Sequence, residues 1–172
     1  MPIYFTNQAT EVVKILNQIG YFTVDEKFVD KDFLPSYQWM IKQMDKRLNN
    51  NGSYPVWLWT KKPNLKHESL FQKGTKVVCL TVEIPNNKVL LSGFEAWHCV
   101  LNNGFCAISE EEDRLFEQGK LTITKEQSWE RIFHLAKLRN SEMWNNGDQI
   151  VQGVTSVIQK EQILNIEYFI AN

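Results

Sequence analysis

The chain has 172 residues, with nineteen Lys and Arg against twenty Asp and Glu, and 43% of its residues are hydrophobic. A folded chain of this length buries roughly 70% of its extended surface, and the composition excludes disorder, collagen-like repeats and a disulfide scaffold. A formal charge of −1 removes the usual electrostatic footprint of a duplex-binding protein.

In chain order, Ile3 to Thr6 reads as a short opening strand. Asn7 is placed to cap a helix over residues 8–19, whose Val12, Leu16 and Ile19, flanked by Val13 and Ile15, form an apolar stripe; Gly20 ends it. A polar connection leads to a second helix, from Pro35 to about Leu48, with Tyr37, Ile41, Met44 and Leu48 at helical spacing. The period then changes. SYPVWLWT alternates Val56 and Leu58 with Trp57 and Trp59, which sets both indoles on one face of a strand. KKPNLKHESLFQKG has no apolar period and reads as a long basic loop. KVVCLTVEI is a near-continuous strand, and KVLL beyond Pro85 is expected to return as its hairpin partner.

Three helix starts carry capping-box patterns: Ser92 with Glu95, Ser109 with Glu112, and Thr124 with Gln127. Gly104 and Gly119 stop the first two helices, and KEQSWERIFHLAKL forms the third. Gln149 to Ile158 and Leu164 to Ala171 read as closing strands around a KEQ connection. The sheet must gather strands from the start, middle and end of the chain. The expected fold is therefore α+β: a single globular domain over residues 1–172, with a mixed, mostly antiparallel sheet and flanking helices.

The N-terminus lacks a basic region followed by an apolar one, and no apolar run approaches a membrane span, so a cytoplasmic protein without a membrane partner is expected. Cys79, Cys99 and Cys106 are read as reduced, mostly buried thiols. A metal site from His98, Cys99 and Cys106 is disfavoured, because adjacent helical residues point about 100° apart.

Several stretches carry a resemblance. YFTNQ, SYPVWLW with KKPNLK, VLLSGFEAWHCVLN, SWERIF and the closing VQ strand leading into EYF occur in order from residue 3 to 169. With its YPVW, VLLSxFxxWHxVLN and SWERIF motifs, the chain resembles a bacterial domain-of-unknown-function family, which implies no established activity. It departs from that pattern at Gly93 and His134, where the family tends to carry Asp, at Lys66, where Arg is expected, and at Val157-Ile158, where an aromatic-Glu pair is common. If a lost carboxylate carried chemistry, this chain is an altered or inactive member. The order of elements is also loosely similar to ADP-ribosyltransferase-like folds. There the opening strand and a later aromatic-rich strand flank a nicotinamide-ribose, and a late carboxylate or amide approaches the ribose. This is fold-level analogy.

That likeness implies a cleft lined by Tyr4, Thr6, Trp57, Trp59, Lys62, Lys66 and Gln152, with Tyr54 beside the tryptophans. Trp57 and Trp59 would stack a ring, Lys62 and Lys66 would pair phosphates, and Thr6 and Gln152 would hydrogen-bond a ribose. NAD is the cofactor it suggests. An active enzyme would need a group supporting an oxocarbenium-like ribosyl cation, and Glu161 and Glu167 fall on a turn and a strand face. Each residue also has a plainer reading: the indoles as filler between sheet and helix, Lys61, Lys62, Lys66 and Lys73 with His67 as a solvated loop, and His98 and Glu130 as packing and ion-pair residues. No glycine-rich phosphate loop is present. The sequence thus supports a small-molecule or nucleotide-binding domain of doubtful catalytic competence, with a non-catalytic protein-interaction module as its rival. A third reading, single-stranded nucleic-acid binding by the Trp/Lys segment, has no strong signal and predicts affinity that collapses with salt.

Overall fold

Alternating burial runs further along the opening strand than its first four residues. In the computed structural model, which describes residues 1–65, 70–145 and 147–172, β1 spans Ile3–Ala9. Asn7, Gln8 and Ala9 continue the pairing with Cys79, Val78 and Val77, so Asn7 is a strand residue and caps nothing. Helix α1 (Glu11–Ile19) begins behind Thr10, whose side chain makes no capping bond. Only Val12 and Leu16 of its stripe are buried; Ile15 and Ile19 face outward. Gly20, at φ +83°, donates its N–H to the Leu16 carbonyl, the left-handed stop that glycine adopts at little steric cost.

Helix α2 (Leu34–Leu48) carries Pro35 in its first turn and buries Met40, Ile41 and Met44. β2 (Tyr21–Phe22) pairs with β7 (Ile158–Gln159) in a small separate ribbon. The main sheet contains β1, β3 (Val56–Trp59), β4 (Lys76–Glu83), β5 (Leu90–Gly93), β6 (Val151–Thr155) and β8 (Ile163–Ile170), in the order β5-β6-β3-β1-β4-β8. Every pairing among the described residues is antiparallel. The α+β class, with a mostly antiparallel sheet and flanking helices, is what the sequence leads one to expect.

Three local expectations are corrected. KVLL does not return against β4, because β1 and β8 already occupy both edges of that strand; β5 pairs with β6 at the far edge instead. Ser92 caps no helix. It belongs to β5, its hydroxyl accepts from Gln152 Nε2 at 3.4 Å, and Gly93 precedes α3 (Phe94–Leu101). KEQSWERIFHLAKL is broken into α5 (Lys125–Trp129), a 3-10 turn over Glu130–Phe133 and α6 (Leu135–Arg139), with His134 outside helical geometry between them.

The two remaining boxes differ. Thr124 and Gln127 exchange both bonds, whereas Ser109 caps α4 (Glu110–Glu117) through the Glu112 N–H while the Glu112 carboxylate turns to Arg131. The late strand expected over 149–158 is interrupted after Thr155, giving β6 and β7.

The sheet is covered on both faces. Tyr4, Val56, Leu58, Val78, Leu80 and Val82 pack against Val12 and Leu16 of α1, with Phe22 and Ile158. On the other face Val154 packs with Met40 and Met44 of α2, Trp97 and Val100 of α3, and Trp129, Ile132 and Leu138. β4 is buried on both sides, which explains its unbroken apolar run. Among the described residues no helix is long and apolar enough to cross a membrane.

Candidate functional site

Opposed residues in an antiparallel pair share a face, so Ser92, Gln152, Trp59 and Phe5 form one row across β5, β6, β3 and β1. β3 pairs with β6 along its whole length, and β1 does the same with β4. Between β1 and β3, pairing occurs at Phe5 opposite Trp59 alone. Past that point a groove of about 430 Å³ opens beneath α3. It is lined by Asn7, Trp57 and Trp59 from one pleat and by Thr6, Gln8 and Leu58 from the other. Both pleats reach a single hollow only where the ladder between two strands has lapsed.

Phe94, Trp97 and His98 of α3 form the helical side of the groove. Trp59 packs on Phe94, their ring centroids 5.3 Å apart. Both rings, with Leu70, also line an adjoining cavity of about 420 Å³ that includes Lys61, Lys62 and Gln149. The Trp59–Phe94 pair is thus a ridge between two hollows.

Of the residues singled out from the sequence, Thr6, Trp57, Trp59 and Gln152 line the groove together. Thr6 accepts from Gln8 Nε2 at 2.8 Å. Trp57 is only half available: its indole N–H donates to Tyr37 Oη at 3.1 Å, and its ring lies 5.1 Å from that of Trp97 and 6.1 Å from that of Tyr37. Tyr4 is buried in the core on the α1 side, where desolvation pushes its phenol pKa up. Tyr54 bridges to Val24 and accepts from Gln38 Nε2 at 2.9 Å, lining neither cavity. Lys62 lines the adjoining cavity and is ion-paired with Glu167 of β8, whose hydrogen bond raises the ammonium pKa. Lys66 and His67 lie outside the described residues.

The other polar groups considered have structural partners. His98 Nδ1 is 3.0 Å from the Phe94 carbonyl, and its ring meets Phe94 edge-on. Arg131 of SWERIF binds both oxygens of Glu112 and donates to the Cys106 carbonyl at 2.8 Å, which ties α4 to the loop after α3. Glu161 lies in the 3-10 turn Lys160–Gln162. No Asp, Glu, Lys or Arg lines the groove among the described residues, and no cluster of three His, Cys, Asp or Glu there could hold a metal ion.

Asn7 is a polar groove residue that the sequence reading does not assign to the site. Its Nδ2 and Oδ1 are both withdrawn from solvent without a hydrogen-bond partner. Leaving such a group unpaired costs about 1–3 kcal/mol, a cost that folded proteins seldom carry without a reason. The signal was available: extending the period-2 alternation beyond Thr6 puts Asn7 on the same face as Phe5. Gln149 Oε1, on the wall of the adjoining cavity, is likewise unpaired.

The groove therefore offers aromatic faces, amides and a hydroxyl in neutral surroundings, with cationic side chains across the ridge. No curated protein and no solved structure matches the chain. A family profile described as "Domain of unknown function (DUF3841)" matches residues 3–121, ending ahead of the SWERIF segment and the closing strands. That match spans well over half of the molecule, and the chain belongs to the DUF3841 family.

Proposed function

We propose that this protein binds a nucleotide or NAD-like small molecule in the groove between β1 and β3. One observation carries the reading: Thr6, Trp57, Trp59 and Gln152, from three different strands, line a single hollow where the sheet ladder lapses. A planar ring stacks on Trp59, the more available of the two indoles, and Thr6 and Gln152 hydrogen-bond a sugar. The anionic end crosses the Trp59–Phe94 ridge toward Lys61 and Lys62. Because Glu167 already neutralises Lys62, the phosphates gain less from it than from an unpaired cation. The arrangement agrees with the loose likeness to ADP-ribosyltransferase-like folds in having the opening strand and the aromatic strand flank the pocket.

The reading is one of binding. Glycosyl transfer would need a group to support a ribosyl cation, and the described lining supplies amides in place of a carboxylate. The test is fluorescence titration of the intact protein and of Trp59→Phe with NAD, ATP and nucleosides, together with an assay for nicotinamide release from NAD. Saturable quenching that weakens in Trp59→Phe, without nicotinamide release, is expected. No response to any of these compounds would overturn the reading in favour of a protein-interaction module, and release of nicotinamide would overturn the restriction to binding.

A further inference from the structure

We infer that Asn7 selects the ligand by reading a paired hydrogen-bond donor and acceptor on one edge of a planar ring. The inference rests on the groove's being a ligand site and adds which chemistry it prefers. A carboxamide presents one acceptor and two donor hydrogens on a rigid plane, and in Asn7, a groove-lining residue, both ends are unpaired and shielded from solvent. Each neighbouring amide already spends one N–H within the protein: Gln8 donates to Thr6, and Gln152 donates to Ser92. Among the groove's amides, Asn7 is the one whose donor and acceptor are both buried and without a partner.

The complement of that pair is another planar edge carrying both. An aminopurine presents an amino donor beside a ring acceptor, and a pyridine carboxamide presents the same pair on its amide. A charged group is a poor complement, since the groove's described lining holds no charged Asp, Glu, Lys or Arg side chain to balance it. A polar pocket built this way discriminates more sharply than an apolar one, because a ligand without the edge leaves the amide unsatisfied. The side chains that now shield Asn7 must part for the edge to reach it. That opening costs two matched ligands equally, so the ratio of their affinities isolates the edge.

The experiment compares two matched pairs of probes by calorimetry on the full chain: adenosine against purine riboside, which lacks the amino group, and nicotinamide against 3-acetylpyridine, which keeps the carbonyl and lacks the N–H. The wild type is expected to favour the edge-bearing member of at least one pair by about 10-fold or more, and the pair that shows it identifies the source of the ring. Asn7→Leu, close in volume and apolar, is expected to bring that ratio to about 1 and to raise the thermal midpoint by about 2–4 °C, since it removes an unpaired buried amide. Asn7→Ser serves as the second variant and should also lose the ratio. A ratio unchanged in both variants, with edge-bearing probes still binding, would overturn the role of Asn7 and leave the groove standing. A wild type that binds both members of each pair equally would do the same. Absence of binding by all four probes would overturn the groove and this inference together.

Discussion

Trp57 and Trp59 are two residues apart on one strand face, yet the structure gives them different work, and conservative replacement separates them. Trp57→Phe removes the indole N–H that Tyr37 Oη accepts at 3.1 Å, a hydrogen bond with a net contribution of about 1 kcal/mol. It also shortens a ring wedged between Tyr37 and Trp97. The lost apolar area, about 50 Å² at 25 cal/mol/Å², contributes about 1 kcal/mol more once the incomplete burial of the ring and the void left behind are weighed together. The expected loss is about 2 kcal/mol, or a fall of about 4–8 °C in the midpoint for a chain of this size. Trp59→Phe keeps an aromatic face against Phe94 on the ridge and should cost about 0.5 kcal/mol. Chemical denaturation followed by far-ultraviolet circular dichroism measures both. The same two proteins, titrated with NAD, should show the reverse ranking: binding weakened more by the Trp59 replacement. Equal destabilisation by the two, or ligand quenching that survives Trp59→Phe and is lost in Trp57→Phe, would refute this division of labour.

Four further outcomes are expected. Arg131→Met strands the Glu112 carboxylate, which is mostly buried, and should cost about 3 kcal/mol in denaturant titrations; adding Glu112→Gln should restore a good part of it. Gly153→Val drives a Cβ to within 2.8 Å of Val89 Cγ1 and 3.3 Å of Leu91 Cδ2, and should lower stability by about 1–3 kcal/mol in the same assay. Among the thiols, Cys99 is half-buried and held down by its hydrogen bond with Cys106; that same hydrogen bond, and then burial, push Cys106 up, and burial pushes Cys79 up, so brief treatment with iodoacetamide, read by peptide mass spectrometry, should label Cys99 first. Burial also raises the Tyr37 phenol above its ordinary value of about 10, so the folded state holds that proton more tightly than the unfolded chain. Its contribution to stability is present below pH 10 and is lost as pH climbs through the folded value, visible as a midpoint that falls in alkali alongside late tyrosinate absorbance.

How far the sequence could be read depended on the range of the interaction that decides each feature. Period and capping are local, so α2, β3, β4 and the Thr124–Gln127 box were legible, and the gathering of early, middle and late strands required an α+β fold. Pairing partners are not local. KVLL follows a turn and looks like a hairpin arm, but nothing near it in the chain tells that both edges of β4 are already taken. Ser92 matches a capping box residue for residue, and it loses that role because β5 pairs through Gly93 opposite Val151. Asn7 misleads for a related reason. Asn before an apolar period is a good cap, and only the register with Cys79 shows that the strand continues. Within the proposed site, alternation put both indoles on one face, but that Trp57 is committed to Tyr37 and Lys62 to Glu167 depends on residues 20 and 105 positions away.

The same distinction explains why the groove sits where it does. Had β1 and β3 continued in register, Asn7 would lie opposite Trp57, a short amide facing a ring already held by α2 and α3. Trp57 gains a hydrogen bond and two aromatic neighbours by turning to the helices, and a paired β1 would have to accommodate it there. Asn7 gains nothing comparable, since its amide finds no partner on either side. The lapse in the ladder thus leaves one strand satisfied through its side chain and the other unsatisfied through its own. A fold that needed only a core would be expected to place an apolar residue at position 7, where Val or Leu would remove the cost and extend the packing. Keeping a carboxamide there costs stability unless something outside the chain completes it, so the unpaired amide adds to the proposed ligand reading a reason that the neighbouring indoles do not supply.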